Sequence, residues 1–131
     1  MIIIEKKYHF HAAHRNEAAG AKCGRIHGHT YHVLCSFAFP SWDNGITILF
    51  QDLDNVVEPI IKSHCHYLLL DQTDRLAQIL ADANEPFLAL PFATTAENLA
   101  KYLFEQIAAA NAPITKITLS ETTTSTVVYE P

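Results

Sequence analysis

The stretch His27-Gly28-His29-Thr30-Tyr31-His32-Val33-Leu34-Cys35-Ser36-Phe37-Ala38-Phe39 alternates in a way that only a strand explains. Side chains two residues apart on a strand share a face, so His27, His29, Tyr31, Val33, Cys35 and Phe37 form one side of it. Two imidazoles on that face can reach one ion, while Gly28 leaves the opposite side uncrowded. His14 closes an earlier apolar strand that begins at Ile2 and is clearest over Ile2–Phe10. If the two strands are neighbours, His14, His27 and His29 converge. Three neutral imidazoles with an open fourth position suit a catalytic zinc ion. His9, His11 and His32 have the wrong spacing or face for this group and read as ordinary surface or hydrogen-bonded histidines.

The rest of the chain supports an α+β domain. Residues 15–26 are polar, small and contain Gly20 and Gly24, which marks a loop. Pro40 to Gly45 makes a turn, and Ile46–Phe50 is expected to return as a third strand, paired with His27–Phe39 as a hairpin. A helix is expected from Asp52, with Leu53, Val56, Val57, Ile60 and Ile61 on one face and a kink or second start at Pro59. Asp74–Ala83 reads as a short helix and 85–93 as extended loop. A second main helix begins at Thr94 or Thr95, where Thr94 and Glu97 have capping-box spacing, and Asn111 and Pro113 end it. Ile114–Ser120 and Thr124–Tyr129 form a closing hairpin.

Composition bounds the function. The chain has 131 residues, which suits one domain over 1–131. Apolar residues make up 49% and charged residues 18%, so a disordered chain is excluded and part of the surface is expected to be covered by partner subunits. A net charge of −5 builds no basic footprint for nucleic acid or an anionic membrane. The aliphatic runs are far shorter than the ~18 residues of a spanning helix, and no secretory-type leader is expected. Three cysteines at irregular spacing fit a reducing cytoplasm rather than a disulfide framework.

Three further side chains carry chemistry. Cys23 lies on the glycine-flanked loop between Lys22 and Arg25, whose charges favour its thiolate. It can act as a general base, a fourth ligand or an idle thiol. Cys35 is expected in the core. His66, at the end of the first helix, suits a general acid or a satisfied helix-terminal histidine. Glu121, at a strand end, can accept two parallel N–H bonds from a planar amidine-like edge, or serve as a solvated hairpin acid.

Phe10-His11-Ala12-Ala13-His14, Lys22-Cys23-Gly24-Arg25-Ile26-His27-Gly28-His29, Thr94-Thr95-Ala96-Glu97-Asn98-Leu99-Ala100 and Ser120-Glu121-Thr122 follow in order along the chain. Together they resemble the 6-pyruvoyltetrahydropterin synthase / 6-carboxytetrahydropterin synthase family. The short spacer between Cys23 and His27 is most similar to its bacterial, queuosine-pathway branch. The resemblance implies the T-fold, or tunnelling fold: an antiparallel sheet with two main helices on one face. Oligomerisation completes it as a barrel, and two trimers stack into a homohexamer. It implies a cytoplasmic, zinc-dependent carbon–oxygen lyase that converts 7,8-dihydroneopterin triphosphate to 6-carboxy-5,6,7,8-tetrahydropterin. Related outcomes are pyruvoyl formation, another pterin side-chain cleavage, or a non-catalytic pterin-binding homologue that keeps zinc.

By this resemblance His14, His27 and His29 hold Zn2+. Cys23 is the base, His66 the acid and Glu121 the pterin anchor, with Thr94, Thr95 and Arg25 near the substrate. Arg15 and Lys22 are further candidates to meet the triphosphate. The chain departs from the family pattern where Cys65 replaces the aspartate before His66 and Leu70 replaces an asparagine. A thiolate at Cys65 can partly replace that carboxylate, or Asp71 can reach in. Residues 72–92 are longer than in compact members.

Overall fold

The computed structural model describes residues 1–131. Two long strands, β1 (Ile2–His14) and β2 (His27–Phe39), pair antiparallel along their whole length, from Ile2 opposite Phe39 to His14 opposite His27. α1 (Phe50–Lys62), β3 (Leu68–Asp71), α2 (Arg75–Asp82), β4 (Leu88–Leu90), α3 (Ala96–Ala109), β5 (Ile114–Ser120) and β6 (Thr126–Tyr129) follow. The six strands make one sheet in the order β4-β3-β1-β2-β5-β6. The expected antiparallel sheet is its β1-β2-β5-β6 part, and the β1–β3 and β3–β4 pairings are parallel.

One face of the sheet is apolar and buried. Tyr8, Phe10 and Ala12 of β1 and Tyr31, Val33, Cys35 and Phe37 of β2 meet Leu53, Val57 and Ile61 of α1 and Leu99, Leu103 and Ile107 of α3. Phe10 stacks on Tyr31 with ring centroids 4.7 Å apart. On the other face His9, His11, Thr30 and His32 are exposed, as in a one-sided antiparallel sheet, while Ser36 further along β2 is buried. The edge strands β4 and β6 are only three and four residues long, which limits unpaired backbone.

Several expectations change. Ile46–Phe50 is not a strand: residues 40–49 form a turn with an Asp43–Ile46 bridge, and α1 already begins at Phe50. Both sides of β2 are taken by β1 and β5, so no partner remains for a third strand there. α1 runs unbroken through Pro59 to Lys62. Leu68–Asp71 and Leu88–Leu90, short apolar segments without a period-2 signal, become β3 and β4. α2 is present, and Asp74 caps it by accepting a bond from the Leu76 N–H. At α3 the cap is Thr95, whose hydroxyl accepts from the Asn98 N–H, rather than the pair Thr94 and Glu97. No helix is long and apolar enough to cross a membrane.

Candidate metal centre and its cleft

The end of the β1–β2 ribbon brings three imidazoles together. His14 and His27 are cross-strand partners, and His29 is two residues along the same face of β2. Ring centroids lie 4.6 Å apart for His14–His27, 5.2 Å for His14–His29 and 4.9 Å for His27–His29. One nitrogen from each ring lies within 4.8 Å of the others, a spacing that could hold a metal ion.

Backbone carbonyls set the tautomers. The Nδ1–H of His14 donates to the Thr94 carbonyl at 2.7 Å, and that of His27 donates to the Arg25 carbonyl at 2.7 Å. Each bond leaves Nε2 as the free lone pair, the orientation a ligand histidine needs. Burial lowers the pKa of His14 and favours the neutral ring that a metal requires. His14 Nε2 and His29 Nε2 are buried without any hydrogen-bond partner. Buried unsatisfied nitrogens are costly, and an ion at their centre would satisfy both, so the donor set fits a bound metal. Beneath them Tyr31 is fully buried and its hydroxyl also lacks a partner.

A cleft of about 160 Å³ opens beside the triad, lined by His14, His27, Cys23, Thr95, Glu97 and Glu121 among others. Cys23, on the 12-residue loop 15–26 between His14 and His27, therefore reaches the same cleft as those two imidazoles. That loop closes on itself. Asn16 N–H donates to the Cys23 carbonyl at 2.6 Å, and Gly24 N–H to the Gly20 carbonyl at 2.8 Å. A Cβ on Gly24 would stand 3.0 Å from the Gly20 oxygen, so a side chain there would press on the loop backbone. Glu121 follows β5 and turns one carboxylate oxygen toward His14 Nε2, at 3.7 Å, and the other toward His29 Nε2, at 3.9 Å.

Other expected site residues are placed differently. Thr94 is fully buried and its carbonyl orients His14, while Thr95 lines the cleft and caps α3. Arg25 is exposed and contributes its carbonyl to His27, and its guanidinium makes no hydrogen bond or ion pair. Arg15 is not free for a phosphate, because it makes two bonds to Asp74 at 2.6 and 2.9 Å in a largely buried pair. The Asp74 carboxyl is accordingly held below its usual range, chiefly by Arg15. His66 lies four residues past the end of α1 rather than at its last turn. It adopts φ +67° in a turn pinned by its N–H to the His11 carbonyl. Its ring is 5.8 Å from that of His11, which points to the sheet face opposite the triad. Cys65 Sγ receives the His11 N–H rather than contacting His66, and Asp71 is occupied by Thr73. Neither takes the place of an orienting carboxylate. Cys35 is core as expected, and burial pushes its thiol up to about 12. Glu97, which in the sequence is one more helix-start acid, lines the cleft, and Tyr31, one more aromatic of the apolar face, lies next to the triad.

A one-sided sheet backed by helices, with a three-imidazole pocket at the end of its longest ribbon, defines a candidate metalloprotein of the T-fold class. The 6-pyruvoyl tetrahydropterin synthase family model matches residues 3–131, and the chain belongs to that family. A protein of Haemophilus influenzae named 6-carboxy-5,6,7,8-tetrahydropterin synthase is 31% identical, with 99% of each chain covered. A Bacillus subtilis protein of the same name is 32% identical over 98% of this chain and 84% of its own length. The solved structure of Caenorhabditis elegans 6-pyruvoyl tetrahydropterin synthase superposes with a TM-score of 0.72 at 20% identity, covering 99% of this chain and 95% of that one.

Proposed function

We propose that residues 1–131 form one pterin-synthase-like domain that acts as a zinc-dependent lyase on 7,8-dihydroneopterin triphosphate. The product is 6-carboxy-5,6,7,8-tetrahydropterin, with triphosphate eliminated and acetaldehyde released, a step in queuosine biosynthesis in the cytoplasm. The observation that carries this reading is that two members of the His14–His27–His29 triad, His14 and His27, line one cleft with Cys23. The names of the bacterial relatives supply the product.

In this reading His14, His27 and His29 hold Zn2+, which when bound acts as a Lewis acid toward the substrate's side-chain hydroxyls. Cys23 takes a proton from the side-chain carbon, working at the cleft wall beside His27. Glu121 accepts the paired N–H edge of the pterin ring. Thr95 borders the ring's entrance, Thr94 keeps His14 in its tautomer, and Arg25 stands at the outer rim for the triphosphate. His66 serves as acid only in a site completed by another copy of the chain, since within one chain it occupies the opposite sheet face.

A homohexamer of two stacked trimers supplies such copies. It is supported by an uncovered apolar hollow of about 370 Å³ between Ile2, Ile4, Trp42, Ile46, Leu49 and Phe50. Incubating zinc-loaded protein with 7,8-dihydroneopterin triphosphate should yield 6-carboxytetrahydropterin by mass spectrometry. Absence of turnover with one zinc per chain would refute the enzymatic reading. A pyruvoyl product would instead support the related reaction, which the displaced Cys65–His66 pair favours.

A further inference from the structure

Glu121 faces two demands that one carboxylate cannot meet together. As ring anchor it would present both oxygens, in plane, to two parallel N–H groups. In the structure both oxygens face the triad instead, 3.7 Å from His14 Nε2 and 3.9 Å from His29 Nε2. Ligand atoms about a tetrahedral zinc, with bonds of ~2.0–2.2 Å, lie roughly 3.4 Å apart. Glu121 is thus within a small side-chain adjustment of ligand distance. It is the one acid whose oxygens lie within 4.0 Å of these nitrogens. It also stands at the neck of the β5–β6 hairpin, just past Ser120, whose hydroxyl bonds Thr126 at 2.9 Å. The strands below it are fixed and its side chain, 24% exposed, has room to turn.

We infer that Glu121 is a shared ligand. It closes the fourth position of the ion held by His14, His27 and His29 while the cleft is empty, and leaves the ion to bind the ring when a pterin arrives. The inference rests on the metal-site and ring-anchor readings above. Arrival of the ring then opens the ion to the hydroxylated tail of the same molecule. Recognition at one end of the substrate is coupled to activation at the other, and water is kept from the ion in between.

Two measurements on the full chain test this. In the first, zinc affinity is measured by competition with a chromogenic chelator in the absence of pterin. Glu121→Gln should bind zinc roughly tenfold or more weakly than the parent, as loss of a supporting ligand does. The cobalt-substituted protein should also change its visible spectrum on the substitution. In the second, 6-methylpterin, a ring without a hydroxylated tail, is titrated into parent protein with and without zinc. Zinc should weaken its binding, and by reciprocity 6-methylpterin should weaken zinc binding by the same factor. 7,8-Dihydroneopterin, whose hydroxyls can replace the carboxylate, should show little or no such antagonism. Equal zinc affinity in parent and Glu121→Gln, or 6-methylpterin binding indifferent to zinc, overturns the inference and leaves the metal site standing. Failure of the parent to take up zinc overturns the metal-site reading and this inference with it, and shows in the first titration before any variant is made.

Discussion

The two faces of the β1–β2 ribbon carry matching sets of histidines with opposite fates. On the helix-covered face, His14 stands across from His27 with His29 two residues along. On the other face, His9 stands across from His32 with His11 two residues along. Strand arithmetic is the same, but the surroundings differ. The first set has carbonyls of Thr94 and Arg25 to fix its tautomers and two buried nitrogens with no other partner. In the second set the rings are exposed, the His9–His32 centroids are 6.3 Å apart, and His11 is spent on the Thr30 hydroxyl at 2.9 Å. A shared spacing brings imidazoles near each other; orientation by a second layer and exclusion of water make them a site.

That contrast can be broken most directly by removing a ring from each face. His27→Ala should abolish stoichiometric zinc binding and with it turnover, measured by metal analysis of the purified protein. If His9→Gln did the same, the distinction between the faces would collapse. Cys23→Ala should keep zinc and lower kcat by roughly 10²–10⁴, the usual worth of a positioned base, in a steady-state assay.

Next comes the clamp behind the triad. Asp74→Ala should destabilise the fold by up to about 3 kcal/mol in urea unfolding, because it strands the largely buried Arg15 next to His14. The sign with pH follows from the depressed carboxyl. Its contribution is full above the ordinary aspartate range, near pH 4, and is lost as pH falls through the lower folded value. Asp74→Asn should therefore flatten the acid limb of the stability profile. Thr95→Ala should cost about 1 kcal/mol through loss of the α3 cap. The smallest effect belongs to the outer face, where His9→Gln or His32→Gln should stay within about 0.5 kcal/mol of the parent and retain its zinc.

What the sequence made legible was what repeats locally. Alternation along His27–Phe39 placed His27 and His29 on one face, and the apolar stripe of Leu99, Leu103 and Ile107 located α3. The strand at Ile46–Phe50 failed because β-prone residues such as Ile46 also serve an exposed apolar hollow, and no pattern in a segment reveals that its neighbour's edges are taken. β3 and β4 are too short for a period to register. Arg15 looked available for phosphate because its partner, Asp74, is 59 residues away. Within one chain the His66 ring lies beside His11, on the sheet face opposite the triad, and spacing along the sequence does not disclose which side of a sheet a turn will leave a ring on.

The self-closed loop between His14 and His27 separates two tasks within one short segment. The strands on either side bring the three imidazoles together, while the loop, tied at Asn16 and Cys23, sets how far the Cys23 thiol extends toward them. Residues can be gained or lost inside that loop, or the sulfur exchanged for another base, without disturbing the ladder that aligns the imidazoles. Divergence toward a different product thus has a ready location, one where trial and error leaves the folded framework intact.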